Sequence, residues 1–139
     1  MEMIVKVVAN TAKRFSQNPP NDLYRNDKFF SLTIGDSYVV YGINIQGGVL
    51  HYLTCHKITD DPYWMPAELF EIVDYRLPPV WYFMFFGYGK SNKINAVWGY
   101  EELVMDPKHY AALILREGYW HVIFELRKKE IDEYFSQNH

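Results

Sequence analysis

Over the first 98 residues, apolar positions occur in short runs and alternating stretches that predict β-strands. Met3 to Ala9 is β-branched and apolar with one lysine, which favours a central strand. Ser37 to Ile45 predicts one strand, and Val49 to Cys55 predicts its return strand. Between them, Gln46-Gly47-Gly48 supplies the positive backbone angles that a tight hairpin needs. The pattern is therefore that of an antiparallel sheet.

Two connections interrupt this pattern. Thr11 to Ser31 is polar and contains Asn18-Pro19-Pro20-Asn21-Asp22, which predicts a long loop. Trp64-Met65-Pro66 predicts entry into a short turn, because proline cannot donate into a strand ladder and biases Met65 to an extended conformation. Leu69 to Val73 then predicts a closing strand with Phe70 and Ile72 on one side.

The run from Val80 to Phe86 is apolar at every position. A strand with one wet face would alternate, so this pattern predicts a strand that is covered on both faces. Left exposed, such a strand would aggregate. The C-terminal helix or a second copy of the chain would have to cover it. Gly87 to Lys93 predicts a turn, and Ile94 to Trp98 a last short strand.

The last 41 residues have helical periodicity. Gly99 to Met105 predicts one or two helical turns, and Asp106-Pro107 is a strong start signal, with Asp as the N-cap and Pro at the first helical position. Apolar residues then recur every three or four positions, which predicts one long amphipathic helix to about Phe135. Gly118 costs about 1 kcal/mol inside a helix, so a bend or a break of the helix at this position stays open.

These elements predict a single α+β domain over residues 1–139, with 1–98 mainly β and 99–139 helical. The expected architecture is a bent antiparallel sheet or small barrel packed by a long C-terminal helix. A chain of 139 residues buries roughly 70% of its unfolded surface and needs no disulfide, in keeping with its single cysteine, Cys55. No apolar run reaches the roughly 18 residues of a membrane span, and a cytoplasmic location is expected.

Two groups of residues resemble known families. The first group is similar to Src-homology-3-like barrels of bacterial and phage proteins. It consists of Leu32-Thr33-x-Gly35-x-x-Tyr38-x-Val40, Tyr52, Asp60-Asp61 and Pro66-x-x-Leu69-Phe70-x-x-Val73. The second group resembles small immunity proteins of bacterial polymorphic toxin systems. It consists of Trp81 and Trp98-Gly99-Tyr100-Glu101-Glu102-Leu103, which leads into Asp106-x-x-His109-Tyr110. The first resemblance implies a fold that hosts many functions, and the second implies binding to a toxin.

Charge is distributed unevenly along the chain. The net charge is −3, yet residues 60–106 hold eight acids against three bases. An acidic middle segment disfavours nucleic acid as the partner and suits a basic protein surface. The chain is also rich in aromatic residues, with 12 Tyr, 9 Phe and 4 Trp, which bury much area in cores and at interfaces.

Candidate chemistry is sparse. Cys55 and His56 are adjacent on a strand, so their side chains point to opposite faces and cannot partner each other. His51 and Cys55 share a face, but a metal site would need two more ligands, and a buried cysteine with a hydrogen-bonded histidine is the simpler interpretation. Gly87-Tyr88-Gly89-Lys90-Ser91 lacks the spacing of a phosphate loop. The sequence thus predicts no catalytic, metal or cofactor site.

Paired acids at Asp60-Asp61 and Glu101-Glu102 have two interpretations. They are solvated residues of a loop and a helix start, or they form a docking face for a cationic partner with nearby aromatic anchors. An enzyme would require Asp60 or Asp61 within hydrogen-bonding reach of a histidine. The predicted protein-binding residues are Asp60, Asp61, Tyr63, Trp64, Tyr100, Glu101 and Glu102.

The preferred hypothesis is a non-enzymatic bacterial protein-binding module, an immunity protein that neutralises a cognate toxin by occluding its active site. The partner would be a protein with a basic domain, not nucleic acid or a membrane, and no cofactor is expected. The alternative is a Src-homology-3-like barrel that binds a small ligand or nucleic acid. A homodimer stays open, because the Val80 to Phe86 run and the apolar helix stripe offer much apolar surface.

Overall fold

The computed structural model describes residues 3–11, 29–78, 80–87 and 94–137. Within these ranges, antiparallel strands precede a set of helices, which confirms the predicted α+β class. The strands are β1 (Ile4–Val7), β2 (Ser37–Val39), β3 (Gly42–Gln46), β4 (Val49–Cys55), β5 (Pro62–Pro66), β6 (Phe70–Asp74), β7 (Tyr82–Phe85) and β8 (Ile94–Gly99). The helices are α1 (Glu101–Met105), α2 (Pro107–Leu115) and α3 (Trp120–Gln137), with a 3₁₀ turn at Ala67–Leu69. The predicted loop and turn at 12–28 and 88–93 lie outside the described residues.

The described strands form two antiparallel sheets, ordered β2-β1-β6 and β5-β4-β3-β8-β7. The chain passes from the first sheet to the second at Val40 and Tyr41. The amide of Val40 donates to the carbonyl of Met3 in one sheet, and the amide of Tyr41 donates to the carbonyl of Leu53 in the other. The predicted single strand from Ser37 to Ile45 is therefore wrong, because this step divides it into β2 and β3.

Two turn predictions are confirmed. The hairpin at Gly47 and Gly48 is confirmed, since both have positive φ, 58° and 79°, and Gln46 pairs with Val49. The entry into a short turn predicted at Trp64-Met65-Pro66 is confirmed, because these residues end β5 with Met65 extended and lead directly into the 3₁₀ turn at Ala67–Leu69. The prolines are tolerated because β5 lies at the edge of its sheet, where a missing amide breaks no ladder.

The first core lies between the two sheets. Val5 and Val7 from β1 pack with Leu69 of the 3₁₀ turn, all within 1% of complete burial. Phe70 belongs to this core and Ile72 packs against it, as the alternation of β6 predicts. The central position predicted for the first strand is also confirmed, since β1 pairs with β2 on one side and β6 on the other.

Strand β7 is the edge of the five-stranded sheet, paired with β8. Tyr82 and Met84 pack on the helical side, whereas Phe83 and Phe85 are 51% and 49% exposed. Within one chain, only one of the two faces predicted to be covered is covered, and cover of the other face by a second copy stays a prediction. The helices cover one face, because side chains of a strand alternate and the helices lie on one side of the sheet.

The helical part begins as predicted but does not continue as one helix. The Asp106 side chain accepts a hydrogen bond from the amide of Lys108 and caps α2. The chain then leaves the helix at Arg116, which adopts the left-handed conformation (φ 59°), and Gly118 also has positive φ (69°). The single helix predicted to about Phe135 is therefore wrong, and residues 116–119 separate α2 from α3.

The second core lies between the five-stranded sheet and the helices. Its buried members include Leu53 and Val97 from the sheet, Leu103 and Leu113 from α1 and α2, and Phe124 from α3. Each helix thus contributes an apolar face to the same layer. No helix in the described ranges is long and apolar enough to cross a bilayer.

Two glycines allow α1 to approach the sheet. Gly42 and Gly99 are directly paired between β3 and β8. A Cβ atom placed on either one would lie 2.6 Å from Cδ2 of Leu103. Leu103 itself is 1% exposed and has little room to move. The backbone of the sheet is therefore the surface on which α1 rests.

Gly99→Ala is expected to lower the free energy of unfolding by about 1–3 kcal/mol, because the added methyl group overpacks Leu103. The measurement is a double-mutant cycle by urea denaturation. Leu103→Ala is destabilising by itself, but Gly99→Ala added to it should then cost much less, since the clashing atom is gone. Additive losses would contradict the proposed contact.

Candidate protein interface

Helix α3 carries the surface that combines charge with exposed apolar groups. Phe124 faces the core with no exposed area, and Ile131 is 7% exposed. The outward side carries Val122 and Leu126, each more than half exposed, with Glu125 between them. Acidic and apolar side chains therefore alternate on a helix face that has no packing partner among the described residues.

The turn before β5 lies on one flank of α3. The amide of Asp60 donates to the carbonyl of His56, and Nδ1 of His56 accepts from the amides of Ile58 and Thr59. Asp60 has a positive φ of 61°. This tight turn holds the Asp60 carboxylate 3.9 Å from Nζ of Lys128 on α3. His56 thus serves as an acceptor that orders the turn.

Lys128 is shared between two carboxylates. Asp132 lies 3.4 Å from its Nζ and also accepts a hydrogen bond of 3.0 Å from the Tyr41 hydroxyl. Burial lowers the pKa of Lys128, but Asp132 and Asp60 more than offset this and leave it raised. Burial also raises the pKa of the nearby Cys55 thiol to about 12, with Asp60 adding to the effect. The thiol therefore stays protonated and is a poor nucleophile.

The start of α1 lies on the other flank of α3. Nε and Nη2 of Arg127 each donate to the carboxylate of Glu102 at 2.7 Å, and Nη1 donates to Glu130 at 2.9 Å. These hydrogen bonds hold the pKa of Glu102 below its usual range. The fork between Arg127 and Glu102 ties α1 to α3 and fixes the acidic start of α1 beside the helix face.

Of the three predicted aromatic anchors, one is exposed. Tyr63 is 42% exposed, and the Arg116 guanidinium lies 4.6 Å from its ring centroid. Trp64 is half-buried and stacks on Tyr110 at 5.8 Å between ring centroids. Tyr100 is 4% exposed, so its assignment as an anchor at the surface is corrected. Its place in the sequence beside two acids did not show that it faces inward.

The buried Tyr100 is paired with a histidine. Its hydroxyl lies 2.7 Å from Nε2 of His109, which is 3% exposed. Burial lowers the pKa of His109 and raises that of Tyr100. Both side chains are therefore neutral near pH 7, and the pair is a hydrogen bond inside the core beneath α1.

A cleft of about 250 Å³ lies between α1, α3 and the segment leading into β7. Tyr82 and Tyr134 line it, and Glu101, Arg127 and Glu130 lie in its wall. The sequence did not point to the members from α3. Acids and bases three or four residues apart on that helix were the available signal, but this pattern is equally typical of any solvated helix.

Taken together, α3 and its two flanks are acidic. The acids of this surface outnumber the bases by nine to four, a net charge of −5. The acids are Asp60, Asp61, Glu101, Glu102, Glu117, Glu125, Glu130, Asp132 and Glu133, and the bases are Arg116, Arg127, Lys128 and Lys129. We call these residues and the exposed Val122 and Leu126 the α3 face.

The four predicted acids belong to this face, and Tyr63 contacts its Arg116. Trp64 is turned towards Tyr110, and Tyr100 is buried. The acid pairs fall on opposite flanks of α3, Asp60-Asp61 by Lys128 and Glu101-Glu102 by Arg127. Among the described residues, no group of three or more His, Cys, Asp or Glu side chains is placed to hold a metal ion. What the arrangement offers is a charged surface with apolar side chains within it.

Comparison of the chain with known protein families, with curated proteins and with solved structures found no match.

Proposed function

We propose that this protein is a non-enzymatic, cytoplasmic protein-binding module, an immunity protein that neutralises a cognate toxin. The observation that carries this proposal is the α3 face, with a net charge of −5 around the exposed Val122 and Leu126. Interfaces commonly place apolar contacts at the centre and charged residues at the rim. A basic toxin domain would complement this face.

The charge of the α3 face determines which kind of partner it attracts. Most of its bases are already paired with acids, Arg127 with Glu102 and Lys128 with Asp132. Glu101 and Glu125 are exposed acids that a cationic partner would meet without displacing these pairs. Complementary charge of this kind mainly raises the association rate and depends on salt. Nucleic acid, a polyanion, would be repelled from this surface.

The test is co-expression in bacteria with the toxin encoded beside this gene. Growth should be restored by the wild-type chain, and the purified pair should associate more slowly at higher salt. The variant Glu101→Gln with Glu125→Gln should reduce the association rate by roughly tenfold. The matched control neutralises two acids away from the face, Asp36→Asn with Glu71→Gln, and should protect as well as the wild type.

Two outcomes would contradict the proposal. Absence of protection by the wild-type chain would remove the immunity function. Equal losses in the two double variants would mean that overall charge, and not the α3 face, governs binding.

A second candidate function, binding of a small ligand, is favoured by a separate observation. A partly open apolar pocket of about 260 Å³ lies between the end of the five-stranded sheet and helices α1 and α2.

A further inference from the structure

The cleft between α1, α3 and the segment leading into β7 is lined largely by aromatic rings. The segment contributes Trp81 and Tyr82, and α3 contributes Tyr134. Its buried lining includes Ile131 and Tyr100, which are 7% and 4% exposed. The cleft is partly open to solvent, so a side chain that projects from another protein can enter it.

Regular elements hold the lining residues in place. Glu130 and Tyr134 are four residues apart on α3, so they share one side of that helix. Tyr82 of β7 pairs with Gly99 of β8, and Glu101 follows two residues later at the start of α1. The cleft is therefore built from residues that lie far apart in sequence and are fixed by a sheet edge and two helices.

The charged groups at the cleft leave it negative. Arg127 is already engaged, since its Nε and Nη2 donate to Glu102 and its Nη1 donates to Glu130. Glu101 is exposed and has no hydrogen bond or ion pair within the part of the chain that the structure describes. These four residues are three acids and one base, a net charge of −2. A cation can therefore meet Glu101 without displacing an existing pair.

The lining favours a cation with a flat, partly apolar body. The faces of aromatic rings attract cations, and a guanidinium also stacks on them. Its five N–H donors can serve more than one carboxylate, which suits a cleft lined by both Glu101 and Glu130. An anion would be repelled by the net charge, and an apolar group would take water from the carboxylates without replacing its hydrogen bonds. Arginine is also one of the residues that carry most of the binding energy at interfaces.

We propose that this cleft receives an arginine side chain of a basic protein partner. The guanidinium meets Glu101 and Glu130, and the methylene stem packs against the aromatic lining. This inference rests on the proposed function, because it names the side chain with which that partner enters the α3 face.

The experiment titrates the full chain with N-acetyl-arginine methylamide and with the citrulline derivative, its uncharged analogue of similar shape, followed in ¹H–¹⁵N spectra. The arginine derivative should bind at least about fivefold more tightly, because citrulline lacks the charge that the rings and carboxylates attract. The perturbed amide signals should include those of Tyr82 and Glu101. No binding of the arginine derivative, or equal binding of the two, would overturn the proposal. Equal or tighter binding of the lysine derivative would overturn the choice of arginine.

Two pairs of variants locate the site. Glu101→Gln removes the unpaired carboxylate and should weaken binding of the arginine derivative by about threefold, whereas Glu71→Gln, at an exposed acid away from the cleft, should leave it unchanged. Tyr134→Ala removes an aromatic ring of the lining and should also weaken binding, whereas Tyr119→Ala, at a ring that is 82% exposed and outside the cleft, should not. An equal loss in the two members of either pair would place the arginine elsewhere and overturn the assignment.

The outcomes for this cleft and for the immunity function are distinguishable, because the titration needs no toxin. A chain that prefers arginine to citrulline but gives no protection would support the arginine site and contradict the immunity function. A chain that protects but does not distinguish arginine from citrulline would keep the immunity function and overturn the arginine site.

Discussion

Replacing Phe124 with alanine is expected to lower the free energy of unfolding by about 3–5 kcal/mol. Its ring has no exposed area and packs edge-on against Tyr41 at 6.0 Å between centroids and near Tyr100 at 6.3 Å. Tyr41 belongs to the sheet and Tyr100 precedes α1, so one side chain holds α3 to both. The loss combines the transfer of a large apolar group with the cavity that remains.

The measurement is urea denaturation followed by circular dichroism, which also reports the helical content of α3. Val122→Ala is the matched control, since Val122 lies two positions earlier on the exposed side and should change the free energy of unfolding by no more than about 0.5 kcal/mol. A small effect of Phe124→Ala would mean that α3 is not docked on the sheet as described. The residues of the α3 face would then not be held in the arrangement described above.

The end of α2 shows why periodicity alone did not predict the helices. Apolar spacing continues from α2 into α3, so Gly118 is the one local sign of the break among these residues and does not outweigh the helical pattern. Arg116 adopts a left-handed conformation that is uncommon for a residue with a side chain. Its guanidinium contacts the rings of Tyr63 and Trp120 and donates to the carbonyl of Pro62. Pro62 and Tyr63 lie on β5, far from Arg116 in sequence, so tertiary contacts accompany the break.

A related reason explains the errors in the strands. Val39, Val40 and Tyr41 are all apolar, so the alternation does not reveal that the chain changes sheets between β2 and β3. Tyr38 and Val40 enter the first core, whereas Val39 and Tyr41 pack in the second. Where the chain steps from one sheet to another and is buried on both sides of the step, the apolar pattern is that of one continuous strand.

The candidate interface was predictable in part. Local composition identified the acids of both flanks, because carboxylates are rarely buried and so lie at the surface. Local composition did not reveal the cations of α3 that pair with these acids. Arg127, for example, lies 25 residues from Glu102 and is brought close to it only by folding. The burial of Tyr100, whose hydroxyl pairs with His109, was equally hidden.

Stability is expected to fall by about 2 kcal/mol between pH 7 and pH 5 through His51. His51 is 2% exposed, and burial lowers its pKa from 6.5 to about 4. The unfolded chain takes up a proton near pH 6.5, whereas the folded chain does not until about pH 4. The unfolded state therefore binds more protons throughout this window, and stability is lost as the pH falls. His109, whose pKa burial also lowers, acts in the same direction.

The variant His51→Gln isolates this contribution, because glutamine keeps hydrogen-bonding groups and does not titrate. Urea denaturation at pH 7, 6 and 5 should give a shallower decline for His51→Gln than for the wild type, by about 2 kcal/mol over the whole range. His121→Gln, at an exposed position on α3, should retain the wild-type decline. Parallel declines in His51→Gln and the wild type would mean that His51 is protonated in the folded state. The buried surroundings of His51 would then have to admit water.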